Sequence, residues 1–586
     1  MAFLPKKSVQ EIEAYKGPSE GRLDYIRLDF GENTSDFPHL YPEGIPPQWV
    51  SAYPEYGKLI DKLAALYKIK PENLLLTNGS DEGLFLVTHT FIEPGVDSAV
   101  VSKPCFVVMP QTLKLAGAKV VEVPVIFDDL SFDTAAIEKV LSGPIPMKMA
   151  MFATPENPTG ATLPTEIILD WCKKYPQTLF VIDEAYIEFA HPASSQDKRD
   201  AVLTAACSMD NLIVLRTFSK GWAMAGLRLG IMVGKAETLG WLNRSRSPFN
   251  VNSAAVWTAL KMLDNADAVW ENARQVYERK EHLAAELKKR HFQVNNGQSN
   301  CLLLSLGCNA RAASDYLQAN GVLIRNRSAT IGPVFDSNGK WSDPLWGKVR
   351  ISAGTDKEND RFLELLDSFN RSYAVMFDLD GTLVDTTASF DATVATIVKR
   401  HSGKDLAENE LNNLRAEGGF NDDWVAAHEL LRRRGVEKTL KEIVNEATPL
   451  YLQLALEHEA AYFDEDLLPR ARERHPLFIV TGRTRPEYDP IWGSRLDPLF
   501  ERVYCLFDVP GGKPKPAPDY LLKVKEDYGV ADGVYVGNSV DDMRAAREAG
   551  LAAIAVTTTL PAETLKEAGA QLVLSSVNDL KKVFCI

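Results

Sequence analysis

A chain of 586 residues is too long for one hydrophobic core, since domains ordinarily run to about 100–200 residues, so several globular units are expected. Its composition, 45% hydrophobic and 25% charged, is that of a globular protein, and no apolar run reaches the ~18 residues of a membrane span, which excludes disordered and membrane-spanning classes. A formal net charge of −14 without a long basic stretch argues against a nucleic-acid partner but leaves room for local anion sites.

The N-terminal segment MAFLPKKSVQEIEAYK has two adjacent lysines with no apolar segment after them, and does not read as a secretory leader. NGSDEG (78–83) has the composition of a helix start whose free N–H groups, with Ser80, would bind an anion. SAVVS (98–102) reads as a buried strand. ATPENPTG (153–160) is a turn rich in Pro, Asn and Gly after the apolar MKMAMF. LFVID (179–183) is a further strand, and VIDEAY sets Asp183 and Tyr186 near one sheet edge.

NLIVLRT (211–217) leads into TFSKGWAMAGLRLG (217–230), which places Lys220 in a turn of small residues beside Ser219, with Arg228 farther on. A lysine buried there would lose proton affinity by desolvation and become a competent amine nucleophile. Thr217, Ser219 and Arg228 would together hold a phosphate. An isolated lysine in such a turn is ordinarily a surface residue, and it is the companions that reverse this reading. Ligands of open α/β sheets gather at the C-terminal ends of strands, so these segments are expected to converge.

RFLELLDSFN (361–370) reads as an amphipathic helix that closes a first unit, and YAVMFD (373–378) opens a new sheet with almost no linker. The two units are therefore expected to pack directly on each other. In MFDLDGTLVDTT (376–387), period-two alternation sends Asp378 and Asp380 to the same side of a strand end. Two crowded carboxylates call for a cation, and Mg²⁺ prefers oxygen ligands. EGGFNDDWVAAHELL (417–431) sets Asn421, Asp422, Asp423 and Trp424 near a helix start, either as exposed surface or facing a substrate. PLFIVT (476–481) ends in Thr481. KPKPAPD supplies Lys515, with Lys513 the weaker choice, and GVYVGN (533–538) leads into GNSVDD and the helix DMRAAREAG. The alternation of strands and helices throughout predicts α/β architecture with largely parallel sheets. Seven cysteines, Cys105, Cys172, Cys207, Cys301, Cys308, Cys505 and Cys585, form no CxxC pair and fit reduced thiols of a cytoplasmic protein.

On these motifs residues 1–371 resemble the fold-type I pyridoxal-phosphate aminotransferases, most closely the histidinol-phosphate aminotransferase branch. The resemblance implies a large mixed-sheet domain plus a small domain, pyridoxal 5′-phosphate as cofactor, and a homodimer. It implies that Lys220 carries the cofactor and moves the proton between Cα and C4′, while Asp183 pairs with the pyridinium nitrogen. Asn157 and Tyr186 would hydrogen-bond the ring hydroxyl. Ser80, Asp81, Ser219 and Arg228, with Thr217, lie where the family builds its phosphate cup. Tyr53 in SAYPEYG matches a tyrosine that reaches the neighbouring subunit's phosphate. Phe106 in KPCF stands where the family stacks an aromatic ring, often Tyr, so stacking survives and a hydroxyl is lost. Arg350 in KVRISAGT resembles the bidentate clamp for a substrate carboxylate or phosphate, and Arg325 in VLIRNRS would add a second anion contact.

Residues 372–586 resemble the haloacid-dehalogenase superfamily, with a Rossmann-like core at 372–387 and 470–586 and a helical cap at about 388–469. The resemblance implies Asp378 as nucleophile, Asp380 as acid and base, Thr481 and Lys515 on the phosphoryl oxygens, and Mg²⁺ held by Asp378, Asp380, Asn538 and Asp542. Asp380 favours a phosphatase over a dehalogenase, since carbon–halogen cleavage needs no such acid. One departure is Asn538, where most relatives carry Asp. Its amide brings no charge, which weakens metal binding unless Asp541 or Asp542 compensates.

The fusion implies a bifunctional enzyme that makes histidinol phosphate from imidazole-acetol phosphate and glutamate, then removes the phosphate. Its partners would be small molecules (an amino acid, a 2-oxo acid and a phosphate monoester), with no nucleic acid and no membrane. The competing readings are another phosphorylated amino compound, a decarboxylase of an amino-acid phosphate, or a second unit that is degenerate, regulatory or merely binding.

Overall fold

Strands that are apolar on both faces build the first sheet. The computed structural model describes residues 22–34, 41, 43–190, 196–328, 343–420 and 422–586. The N-terminal segment read for a leader, and Asn421, lie outside these residues. Seven strands, β1 (Leu74–Thr77), β2 (Ser98–Lys103), β3 (Lys119–Pro124), β4 (Met147–Ala153), β5 (Leu179–Asp183), β6 (Leu212–Thr217) and β7 (Gly230–Gly234), lie in the order β1-β7-β6-β5-β4-β2-β3. Strand β7 is antiparallel to both its neighbours and the other pairs are parallel. Alternate residues feed two cores: Ile182 and Val214 join one face, Val181 and Leu215 the other. The parallel run brings Ala153, Asp183 and Thr217, the last residues of β4, β5 and β6, to one edge.

A smaller antiparallel sheet of β8 (Val294–Asn295), β9 (Cys301–Ser305), β10 (Arg325–Asn326) and β11 (Lys348–Ser352) has the order β10-β11-β9-β8. Helix Asp356–Ser372 follows. It starts in a capping box of Thr355 and Glu358 and ends directly on the first residue of the next strand.

The third sheet consists of six parallel strands, β12 (Tyr373–Phe377), β13 (Leu477–Thr484), β14 (Arg502–Leu506), β15 (Asp532–Gly537), β16 (Ala552–Val556) and β17 (Leu572–Leu574), in the order β14-β13-β12-β15-β16-β17. The chain goes from β12 to β13 on one side and returns as β15 on the other, which opens a topological switch point beside β12. Between β12 and β13 stand helices Ala392–Ser402, Glu410–Glu417, Asp423–Arg433 and Leu440–His458, around their own core of Val394, Leu430, Ile443 and Tyr451. The chain enters and leaves these helices through the antiparallel pair Val384–Asp385 and Ala460–Ala461.

The second and third sheets share a core. One cluster unites Leu302, Leu304, Val349 and Ile351 with Phe362 and Leu366 of the intervening helix and with Val375, Phe377, Val536 and Phe584. Gly307, at φ +61°, touches the last helix, and a Cβ there would stand 1.9 Å from the carbonyl oxygen of Val583. The Asn309 amide lies 3.0 Å from His475 Nε2, and Arg474 Nη2 donates to the Cys585 carbonyl at 2.6 Å. The lack of a linker in the sequence thus corresponds to a continuous apolar contact. No helix among the described residues is long and apolar enough to cross a membrane.

Candidate active sites

A cavity of about 470 Å³ opens at the C-terminal edge of the seven-stranded sheet, and the motifs from six separate stretches meet in it. Lys220 enters from the turn after β6, and its Nζ donates to the Phe30 carbonyl at 2.7 Å. Burial, helped by the charge of Arg350, lowers its pKa to about 8. Asp183 sits at the end of β5, 1% exposed, and accepts from the Ala185 N–H at 3.0 Å. Burial, with repulsion from Asp81, pushes its carboxyl up to about 7, so a cationic ring nitrogen would find a partner there.

The Asn157 amide donates to the Tyr186 hydroxyl at 3.4 Å and accepts from Arg350 of β11. At the helix start Gly79–Phe91, Ser80 and Asp81 line the same wall as Thr217, Ser219 and Arg228. Arg228 donates to Ser219 Oγ at 3.1 Å and to Asp81 at 3.2 Å, and Thr217 Oγ1 donates to Ser219 Oγ at 2.9 Å. Gly79 (φ +73°) leaves the room this cluster needs: a Cβ there would stand 2.5 Å from the Arg228 guanidinium. Phe106 lines the cavity as an aromatic wall. A buried lysine, a buried carboxylate and an arginine–serine cup at a helix start together fit pyridoxal 5′-phosphate.

Two of the named residues do not line this cavity, and of these only Arg325 was expected to. Arg325 faces Arg350 across the β10–β11 pair and rests over the Phe30 ring at 5.1 Å, one ring away from the cavity. Tyr53 is 76% exposed and stacks on Phe249 at 4.3 Å, outside its own chain's cavity.

Sequence reasoning passed over Glu156 and Arg22. The Glu156 carboxyl is fully buried and accepts from the N–H groups of Phe106 (3.1 Å) and Asn157 (2.8 Å) and from Ser102 Oγ, so it joins the aromatic wall to the ring-hydroxyl residue. Burial pushes its pKa to about 8. Its position inside ATPENPTG was the available signal. Arg22 lines the cavity and pairs with Asp29 (2.6 Å) and Glu32 (2.9 Å), and no motif surrounds it.

The second site lies at the switch point beside β12. Asp378 follows the strand, 3% exposed, and its Oδ1 accepts from Lys515 Nζ at 2.7 Å. The same ammonium donates to Asp542 Oδ1 at 2.7 Å and to the Tyr535 hydroxyl at 3.0 Å. Burial opposes the charge on Lys515, but the two carboxylates outweigh it and hold the ammonium well above its ordinary range. Thr481 Oγ1 stands 3.5 Å from Asp380. Lys515 and Thr481 line a cavity of about 180 Å³ with Tyr520 and Leu506, and Gly419, Asp422 and Val425 close it from the helical insertion. Of the acids at the insertion's helix start, Asp422 lines this cavity while its Oδ1 caps the helix, accepting from the N–H groups of Trp424 at 2.9 Å and Val425 at 3.1 Å. Asp423 is instead paired with Arg415 at 2.6 Å, and Trp424 Nε1 donates to Glu487 at 3.1 Å.

Asp542, expected to join the metal set, pairs with Lys515 and caps its own helix start. Its Oδ2 accepts from Asn538 N–H, Ser539 N–H and Ser539 Oγ, which leaves neither oxygen unengaged. Asp541 likewise accepts the Gly419 N–H at 2.9 Å. Asn538 accepts from Thr382 Oγ1 at 3.3 Å and donates to Thr559 at 2.7 Å. No group of three His, Cys, Asp or Glu side chains suited to a metal occurs among the described residues. Asp378, Asp380 and the second lone pair of the Asn538 amide oxygen remain, and Mg²⁺ often takes only one or two carboxylates and keeps several waters, so this set fits a largely hydrated ion. Arg483, also passed over, sits two residues beyond Thr481 on β13 and grips Asp380 with Nε at 2.8 Å.

Residues 49–366 match the family model for aminotransferase class I and II, and residues 375–556 that for haloacid dehalogenase-like hydrolase. The histidinol-phosphate aminotransferase of Parabacteroides distasonis is 32% identical over 345 residues, covering 58% of this chain and 90% of that protein. A histidinol-phosphate aminotransferase of Dechloromonas aromatica is 31% identical over 382 residues, covering 62% of this chain and 95% of that protein. In fold, the chain is similar to the crystal structure of histidinol-phosphate aminotransferase from Sinorhizobium meliloti in complex with pyridoxal-5′-phosphate. That similarity has a TM-score of 0.52 at 22% identity and covers 62% of this chain and 96% of that one.

Proposed function

The chain belongs to the class I and II aminotransferase family, and on that premise we propose a bifunctional enzyme whose second site hydrolyses the phosphomonoester that its first site aminates. The best reading of the first reaction is transfer of the glutamate amino group to imidazole-acetol phosphate, which gives histidinol phosphate. One observation carries the coupling. The second cavity has a phosphoryl end at Thr481 and Lys515 and a carboxylate, Asp422, facing it from the insertion. That pairing suits a small phosphomonoester bearing an amine, the product class of such a transamination.

Bound pyridoxal 5′-phosphate supplies the electron sink for the bond broken at the substrate's Cα. Lys220, with its pKa near 8, takes and returns the Cα proton as a neutral amine. Asp183 holds positive charge at the ring nitrogen, Asn157 and Tyr186 orient the ring hydroxyl, and Phe106 stacks on the ring. Ser80, Thr217, Ser219 and Arg228 hold the phosphate, with Asp81 orienting Arg228, and Tyr53 completes the cup of a second subunit. Arg350 binds the substrate's anionic end.

In the second site Asp378 attacks phosphorus and Asp380 protonates the departing alcohol oxygen, then accepts a proton from water. Thr481 and Lys515 bind phosphoryl oxygens, and Asp542 keeps Lys515 charged and in place. Mg²⁺, held by Asp378 and Asn538, would neutralise phosphoryl charge.

The test is phosphate release with and without Mg²⁺ from histidinol phosphate and a panel of phosphorylated amino alcohols, comparing wild type with Asp378→Asn. Mg²⁺-dependent release from histidinol phosphate that the variant abolishes supports the reading. Release from a different panel member changes the pathway, and no release from any of them sinks the phosphatase half.

A further inference from the structure

We propose that Arg483 is a positioning residue that couples Asp380 to the hinge of the helical insertion through Glu459. The inference rests on the phosphatase reading above. It starts from a repeated geometry at two adjacent strand ends. Asp378 and Asp380 follow β12, and Thr481 and Arg483 lie on its neighbour β13. Period-two alternation therefore presents one pair of side chains to the other.

The Arg483 side chain is fully buried and bound on every side but one. Its Nε and Nη2 both donate to Asp380 Oδ1, and Nη2 also reaches the two oxygens of Glu459 at 3.0 and 3.1 Å. Its guanidinium lies over the rings of Phe390 and Tyr451, at 5.2 and 5.7 Å. Its Nη1 is buried without a hydrogen-bond partner, so all the hydrogen bonds its guanidinium makes go to the two carboxylates.

Glu459 is placed where the chain returns from the insertion, between helix Leu440–His458 and the strand Ala460–Ala461. It also accepts from Ser389 Oγ at 2.7 Å, beside the outgoing hinge, and from Trp492 Nε1 at 2.6 Å. One guanidinium thus ties Asp380 to both passages of the chain into and out of the insertion. Arg483 does not line the cavity that holds Thr481 and Lys515. It acts on the reaction through the place it gives Asp380, and the position of the hinge sets that place.

The group transfer it serves balances as follows. An Asp378 oxygen bonds to phosphorus, the P–O ester bond breaks with its electron pair on the ester oxygen, and that oxygen takes the proton of Asp380. Water oxygen then bonds to phosphorus, its proton goes to Asp380, and the Asp378 O–P bond breaks. Departure of an alkoxide depends on the proton from Asp380, whereas departure of para-nitrophenolate does not.

The experiment compares full-length wild type, Arg483→Lys and Glu459→Gln, with Mg²⁺, on O-phosphoethanolamine or histidinol phosphate and on para-nitrophenyl phosphate. The rate read is the first-turnover release of alcohol, before the phosphoenzyme is hydrolysed, and the expected result for Arg483→Lys is a rate about 100-fold lower on the alkyl ester and within about 3-fold of wild type on the aryl ester. Glu459→Gln is expected to show the same asymmetry to a smaller degree. Equal losses on both esters, or none, in folded variants overturn the inference. If Arg483→Lys does not fold, Glu459→Gln decides by the same ratio. Wild type that hydrolyses neither ester overturns the phosphatase reading and this inference with it, whereas wild type active on both with parallel losses in the variants overturns the inference alone.

Discussion

The guanidinium of Arg350 donates a hydrogen bond to the amide oxygen of Asn157. This contact ties strand β11 of the small sheet to the turn after β4 of the large one, so the residue read as the substrate clamp touches the residue read as the ring-hydroxyl partner. A second Arg350 bond, from Nη2 to the Asp29 carbonyl, fixes the plane of the fork. Arg350→Ala is expected to lower kcat/KM for the amino donor about 10- to 100-fold, the value of a charge-assisted bond, with the cofactor's absorbance retained. Unchanged steady-state kinetics would remove Arg350 from the substrate site.

Lys220 has a folded pKa of about 8, below its ordinary 10.5. The depressed value means that its contribution to stability is full above about 10.5 and lost as pH falls through about 8. Covalent capture of pyridoxal 5′-phosphate by the apoprotein, followed by absorbance, is therefore expected to strengthen from pH 6 to about 8 and then level off. Lys220→Met should abolish capture and stabilise the apoprotein at pH 7 by on the order of 2–3 kcal/mol, since no buried ammonium remains. A flat pH dependence of capture would contradict this.

Gly307 is where the small sheet receives the last helix of the chain. Its φ of +61° and the closeness of the Val583 carbonyl leave no space for a side chain. Gly307→Ala is expected to cost roughly 2–4 kcal/mol and to lower the melting temperature of the whole protein rather than of one half. Differential scanning calorimetry checks it, and a shift confined to one of two transitions would show that the shared core does not unite the halves.

His475 is buried beside Asn309 at the same junction, and burial, with the charge of Arg474, lowers its pKa from 6.5 to about 3. Its stabilising contribution is full above about 6.5 and lost as pH falls toward 3. Acidification from pH 7 to 4.5 is expected to cost about 2–3 kcal/mol through this group, and His475→Gln should flatten that part of the profile. Denaturant unfolding at both pH values is the measurement.

Asp422 gives the small cavity its carboxylate on the insertion side. Asp422→Asn is expected to reduce the preference for an aminated over a non-aminated alkyl phosphate about 10-fold while leaving para-nitrophenyl phosphate unaffected. An unchanged preference would show that Asp422 does not read the amine.

Much of both sites was legible as motifs because each motif ends a strand. Chain alternation alone puts Asp380 with Asp378, and an apolar run followed by SKG or VIDEAY marks a strand end and its turn. Glu156, Arg22, Glu459 and Arg483 were not legible in this way. The partners of Glu459 and Arg483 are distant in sequence, and a buried charge is recognised by what neutralises it, whereas Arg22 and Glu156 have nearby partners that only burial makes significant. Asp542 shows the converse. In sequence it is an acid near a metal motif, and in space Lys515 and the helix N–H groups claim both its oxygens.

The sequence by itself determined the two α/β units, the strand ends that carry Lys220, Asp183, Asp378 and Thr481, and the direct join near residue 373, because these follow from local periodicity and turn chemistry. Only the tertiary structure decided that the small sheet and the haloacid-dehalogenase-like sheet share one core, that Arg350 meets Asn157, and that Arg483 holds Asp380 against the hinge. These relations depend on which surfaces bury one another, and burial is a property of the packed chain that no local window of residues contains.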